Sequence, residues 1–162
     1  MRKSILFLII AIGVTSAKAQ ITANTNKTTF SRTTMVTAKI NAPAVKVFEI
    51  LTNAQDFTNW NSTVTMLNGT IAEGEKIEIK TTLDEKRTFK LKVKEVQKPT
   101  KMVWGDSKGE RVYELVEIDG VTRFTMTEKI GGLMFPMYAK YIPPFDETFE
   151  QFAKDLKVKA EN

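Results

Sequence analysis

A chain of 162 residues with 42% hydrophobic and 27% charged side chains has the size and mixture of one globular domain, which excludes a multidomain machine. It contains no cysteine and no histidine, so disulfides, thiol nucleophiles, histidine triads and Cys- or His-based metal sites are excluded; any chemistry falls to Asp, Glu, Lys, Tyr, Ser or Thr. The formal charge of +5 points to an acidic partner only if every cation belongs to the working protein.

The N-terminus argues that some do not. Arg2 and Lys3 precede an apolar run from Ile5 to Val14, and Ala17-Lys18-Ala19 before Gln20 has the small-x-small form of a cleavage site. Residues 1–19 are therefore expected to be a secretory signal, and the protein to be exported to a periplasm or the exterior. The apolar run would make a helix of about 15 Å at about 1.5 Å per residue, half of a ~30 Å hydrocarbon core, so no stable membrane span is expected after cleavage. Loss of Arg2, Lys3 and Lys18, and of no acid, takes the basic count from 24 to 21 against 19 acids, and the charge from +5 to +2. The remaining cations, such as Lys90, Lys92 and Lys94, alternate with Leu91 and Val93 in the manner of a solvated sheet face, and no nucleic-acid partner is expected.

Residues 20–29, rich in Thr and Asn and without an apolar period, read as a flexible linker, and residues 30–162 as the domain. Thr33 to Ile40 is rich in β-branched residues and suits a first strand. Pro43 can open a helix, and Val47, Phe48 and Leu51 recur at helical spacing up to Thr52. A second short helix is expected from Asn53, as N-cap, through Ala54, Phe57 and Trp60. From Thr63 to Ile130 alternation with turn signals at Asn68-Gly69, Glu73-Gly74, Asp84 to Arg87, Lys98-Pro99, Gly105 to Gly109 and Asp119-Gly120 predicts an antiparallel meander of about six strands. Ile77 and Ile79 share a face with Phe89 and Leu91 only if the loop between them is odd in length, which Glu85 to Arg87 would satisfy.

Asp119-Gly120 is the sharpest local signal, because a type I′ turn needs positive φ at both central residues. A two-residue loop there pairs Leu115 with Phe124, Tyr113 with Met126 and Arg111 with Glu128 on one face, which its large apolar area assigns to the interior. Beyond Gly131 an apolar stretch, Leu133 to Ile142, is broken by prolines and suits either a lid or a fixed plug. Phe145, Phe149, Phe152 and Leu156 then mark a long amphipathic helix, with Asp146 and Glu147 in its first turn and lysines near its end.

This order, a strand ending in Ile40-Asn41-Ala42-Pro43 with Val47-Phe48 following, Asp56-Phe57-xx-Trp60, the Gly69 and Gly74 turns, the Asp119-Gly120 hairpin and the Phe145 to Leu156 helix, resembles the START-like (SRPBCC) helix-grip superfamily, which includes polyketide cyclase/dehydrase and birch-pollen-allergen-like proteins. The resemblance covers Phe30 to Glu161. It implies an α+β fold in which a curved antiparallel sheet of about seven strands wraps a long C-terminal helix, with two short helices after the first strand. It also implies a pocket for an apolar small molecule between sheet and helix.

The candidate pocket residues are Phe57, Trp60, Met66, Phe89, Met102, Trp104, Tyr113, Phe124, Met126, Phe149 and Phe152, although such a stripe also suits a solid core. Arg111 and Glu128 are candidate polar anchors, or else a cross-strand ion pair at the rim. Three functions follow as alternatives: an exported binder of a hydrophobic or amphiphilic ligand, a cyclase- or dehydrase-like enzyme in the same pocket, and a protein- or membrane-interaction module. No catalytic constellation stands out, and neither a cofactor nor a metal is expected.

Overall fold

The computed structural model describes residues 21–162; the expected signal lies outside them. Eight strands form one antiparallel sheet: β1 (Ala23–Lys27), β2 (Ser31–Ile40), β3 (Val64–Gly69), β4 (Lys76–Thr81), β5 (Asp84–Gln97), β6 (Lys101–Gly105), β7 (Gly109–Ile118) and β8 (Val121–Gly131). Their spatial order is β1-β2-β8-β7-β6-β5-β4-β3, so only the β2–β8 neighbours are distant in sequence. The helices are α1 (Ala44–Thr52), α2 (Phe57–Trp60), α3 (Phe135–Tyr138) and the long α4 (Asp146–Glu161). This is the α+β arrangement expected, with one strand more.

The added strand is β1, which lies in the stretch expected to be a flexible linker. Its backbone pairs with β2, from Ala23 opposite Val36 to Lys27 opposite Arg32. Hydrogen bonds rather than apolar area hold it. The Thr25 hydroxyl donates to Asp146 Oδ1 at 2.8 Å, and the Ala23 amide donates to Glu150 Oε1 at 3.1 Å, which ties the edge strand to the first turns of α4. A strand secured by polar bonds to a distant helix leaves no periodic apolar trace.

The helices near the first crossover also differ from expectation. Asn53 is not the N-cap of α2 but closes α1, its amide bonding to Glu49 O. Pro43 sits just before α1 rather than inside it, and α1 has no side-chain cap of its own. Its N-terminus is served instead by Glu117 of β7, whose carboxylate accepts from the Ala44 amide at 2.7 Å, where the helix dipole also favours an anion.

The β7–β8 register is the expected one: Arg111 faces Glu128, Tyr113 faces Met126 and Leu115 faces Phe124. Asp119 has φ 53° and Gly120 φ 75°. Ile77 and Ile79 do oppose Leu91 and Phe89, but through another route. The turn lies at Thr82-Leu83, and an irregularity between Ile79 and Thr81 restores the odd pairing. Similar irregularities interrupt β3 at Val64/Met66 and β5 at Val93/Glu95, whereas β2, β7 and β8 pair without interruption.

Helix α4 lies along the uninterrupted side, against β1 and β2 and beside α1. Its Phe149, Phe152, Ala153, Leu156 and Ala160 are buried there. Phe152 is the centre of the core: its ring lies 5.6–6.2 Å from those of Trp60, Phe57, Tyr113 and Phe124. Such pairs add about 0.5–1.5 kcal/mol each to plain burial.

Two glycine substitutions separate backbone strain from crowding. Gly120→Ala meets open space and is expected to cost about 1–2 kcal/mol through its positive φ alone. Gly69→Ala, at φ 107°, would also set its Cβ 2.6 Å from Lys76 O, so it should cost clearly more. Urea denaturation of both variants checks the order.

Candidate functional site

The inner face of the sheet is read in rows across the strands. One row, Val36–Met126–Tyr113–Met102, is apolar apart from one hydroxyl and fully covered. The next, Thr25–Thr34–Glu128–Arg111–Trp104, carries charge. At its near end Thr25 already donates to Asp146, so the Thr34 hydroxyl must supply the proton of the 2.8 Å contact between the two threonines. In the middle Arg111 Nε donates to Glu128 Oε2.

Thr25 meets α4 through Asp146, but toward Trp104 the sheet and the helix leave a gap. A cavity of about 570 Å³ opens between Phe145, Thr148, Phe149 and Phe152 of the helix side and a wall that includes Ile79, Phe89, Leu91, Trp104 and Met126. That volume lies within the ~300–1,000 Å³ range of small-molecule sites. Thr81, Leu83, Asp84 and Arg87 of the β4–β5 hairpin border one side; Asp106, Lys108 and Glu110 border another. Tyr138, Tyr141, Ile142 and Pro143 close a third.

Arg111 and Glu128 retain 14% and 17% side-chain exposure, and both line the cavity. They are therefore inside, not an ion pair at the outer rim. The Arg111 guanidinium also lies 5.0 Å over the Phe149 ring. Burial, the largest single influence, opposes its charge, but the neighbouring Glu128 and Tyr113 side chains together outweigh it and hold its pKa above the ordinary value.

Sequence reasoning missed a second buried cation, Arg32, which shares the inner face of β2. Its terminal nitrogens donate to Ile142 O at 3.1 Å and Pro143 O at 2.7 Å, and it lies 4.4 Å over Phe145. Burial lowers its pKa, against the opposing pull of Asp146 and Glu128. Arg32 thus pins the cavity's closing segment to the sheet. Within that segment Phe135 is buried, whereas Leu133, Met134 and Met137 are exposed and do not touch the cavity. Of the stretch expected to be either a lid or a fixed plug, only the second half borders the cavity.

The candidate residues separate into two groups. Phe89, Trp104, Met126, Phe149 and Phe152, with Arg111 and Glu128, line the cavity. Phe57, Trp60, Met102, Tyr113 and Phe124 do not: they pack the core beneath and beside it. Met66 lies elsewhere, against a shallow polar depression with Ala54, Gln55 and Thr58, because the irregularity at Val64/Met66 brings Leu67 inward in its place. Thr63, Thr81, Thr148, Tyr138 and Tyr141 are lining residues that the apolar pattern could not reveal; Ile79, Leu91 and Ile130 were within its reach. Among the described residues no group of three or more acidic, His or Cys side chains is placed to hold a metal ion. None of their helices is long and apolar enough to cross a membrane.

Tyr113 is anomalous. Its hydroxyl is close enough to Arg111 for each to affect the other's ionisation, yet the geometry closes no hydrogen bond, and it has no partner among the described residues. Burial pushes the phenol's pKa above 10.0, with Arg111 offsetting only part of the rise. Tyr113→Phe should thus be neutral or stabilising by up to about 1 kcal/mol, since it removes a buried group that gains no bond. Because the folded phenol keeps its proton where the unfolded one loses it, this contribution to stability is complete below about pH 10 and declines above it. Urea melts between about pH 9 and 11.5 should show a shallower loss in Tyr113→Phe than in the parent.

Residues 41–160 match the model of a family described as activator of Hsp90 ATPase homolog 1-like protein. Solved structures share the fold at low identity. A START superfamily protein from Mycobacterium smegmatis is 16% identical with a TM-score of 0.60, over 80% of this chain and 97% of that one. Protein MLL2253 from Mesorhizobium loti is 18% identical at 0.62, over 78% and 95%. The conserved protein of unknown function EF2215 from Enterococcus faecalis is 10% identical at 0.63, over 86% and 77%. No curated protein matches.

Proposed function

Because the chain belongs to the activator of Hsp90 ATPase homolog 1-like family, within the START-like superfamily, we propose that it is an exported protein that binds a hydrophobic or amphiphilic small molecule in the cavity between its sheet and α4. START-like folds generally bind hydrophobic ligands. The observation that carries the reading is the 570 Å³ space itself, whose wall includes the apolar side chains of Ile79, Phe89, Leu91, Trp104, Met126 and Phe149. Apolar walls of this kind favour a guest that leaves water with them, at roughly 25 cal/mol per Å² removed from solvent. The family's name describes activation of a chaperone ATPase; the cavity, not that name, supports the present reading.

Binding of the neutral fluorophore N-phenyl-1-naphthylamine tests it. The protein is expected to take up one equivalent with micromolar affinity. Leu91→Trp places a larger ring in the cavity wall, and should weaken that affinity at least about tenfold while the circular dichroism spectrum is retained. Met66→Trp, outside the cavity, should leave it unchanged. Saturable binding unaffected by Leu91→Trp would place the guest elsewhere.

Export rests on the N-terminal pattern of Arg2, Lys3, Ile5 to Val14 and Ala17-Lys18-Ala19. Expression with a secretion-competent bacterial host should yield a periplasmic or extracellular product beginning at Gln20, read by intact mass; a cytoplasmic product retaining Met1 would overturn it.

A further inference from the structure

The cavity lining carries charge in near balance. Four carboxylates, Asp84, Asp106, Glu110 and Glu128, stand against three cations, Arg87, Lys108 and Arg111. At the exposed rim Arg87 pairs with Asp84 at 3.6 Å, and Glu110 with Lys94 at 3.1 Å. Inside, Arg111 and Glu128 are bound to one another. Behind them Arg32 and Asp146 add one further charge of each sign.

The inner pair is not saturated. A guanidinium has several N–H donors, of which the Nε–H is used on Glu128. The terminal nitrogens of Arg111 donate to no group among the described residues, and Glu128 Oε1 accepts from none. These atoms are also absent from the buried polar atoms sealed off without a partner, which are Arg32 Nε, Trp60 Nε1, Asn61 Nδ2 and Tyr113 OH. Both residues line the cavity, and their unpaired donors and acceptor are not sealed off from it. Thr81 and Thr148 line the same space with neutral hydroxyls.

We propose, resting on the cavity reading above, that the ligand's polar end is uncharged: a carbonyl, amide, ester or hydroxyl that accepts from Arg111 and, where it has a hydrogen, donates to Glu128. Arginine alone would receive a carboxylate well, in a bidentate fashion. Glu128 removes that option. A second carboxylate beside it sets like charges together in a site of low effective dielectric, where their repulsion is several times that in water. An uncharged head meets no such repulsion and supplies the bonds that the two side chains lack.

A matched dodecyl series decides the matter: dodecanoic acid, dodecanamide and dodecanol compete for N-phenyl-1-naphthylamine on the purified protein at about pH 7.5. The amide and alcohol are expected to displace the fluorophore at concentrations at least roughly tenfold below the acid. Glu128→Gln, with its fold followed by circular dichroism, should bring the acid level with the amide or ahead of it. An acid that binds the parent protein as well as the amide does, or better, overturns the inference, and this ranking decides even if Glu128→Gln does not fold. A folded Glu128→Gln that leaves the ranking unchanged also overturns it. If the fluorophore binds and no dodecyl compound displaces it, the inference falls alone. If the fluorophore itself does not bind, the cavity reading falls and takes this one with it.

Discussion

Positive φ at two consecutive residues, Asp119 and Gly120, decides which side chains of β7 and β8 look toward α4. A strand alternates faces with every residue, so a slip of one position would turn outward either Arg111 and Tyr113 of β7 or Phe124, Met126 and Glu128 of β8, and would separate the two sets. The two-residue turn makes that slip costly. Everything at the centre of the molecule follows from it: the aromatic cluster around Phe152 needs Tyr113 and Phe124, and the cavity floor needs Arg111 beside Glu128.

The same inner surface is filled in part and open in part, and the pairing of the strands differs between its two halves. Strands β2, β8 and β7 run in uninterrupted register, and the core there is continuous with α1 and α4. Strands β3, β4 and β5 each carry an irregularity, which bends a strand and increases its twist. The cavity wall draws on this interrupted half, through Val64, Ile79, Phe89 and Leu91. Helix α4 cannot follow both halves at once, because it is tied at its N-terminal end to β1 through Asp146 and Glu150 and farther along to the β2 end, where the Asn41 amide donates to Glu161 at 2.7 Å.

Polar groups hold the parts that apolar burial does not. Arg32 clamps the carbonyls of Ile142 and Pro143, Glu117 serves the start of α1, and the Thr122 hydroxyl donates to Ala42 O at 2.6 Å. Each joins segments remote in sequence. Arg32 and Thr122 are buried, and the loss of any of the three would leave a partner without its bond, so these contacts specify the arrangement as much as they stabilise it.

Residue order by itself determined much of this protein: the alternation of the meander, the helical spacing of Phe145, Phe149, Phe152 and Leu156, and the Asp119-Gly120 turn are local patterns that make the fold class and the pairing of Arg111 with Glu128 readable. It could not show β1, because Thr25 and Ala23 are held by carboxylates over a hundred residues away. Nor could it tell Tyr113 and Phe124 in the core from Trp104 and Met126 at the cavity, since all four are large, apolar and inward-facing. That distinction rests on where α4 and the segment before it are seated on the sheet. The gap between two surfaces is a property of their placement, and no periodicity within either surface records it.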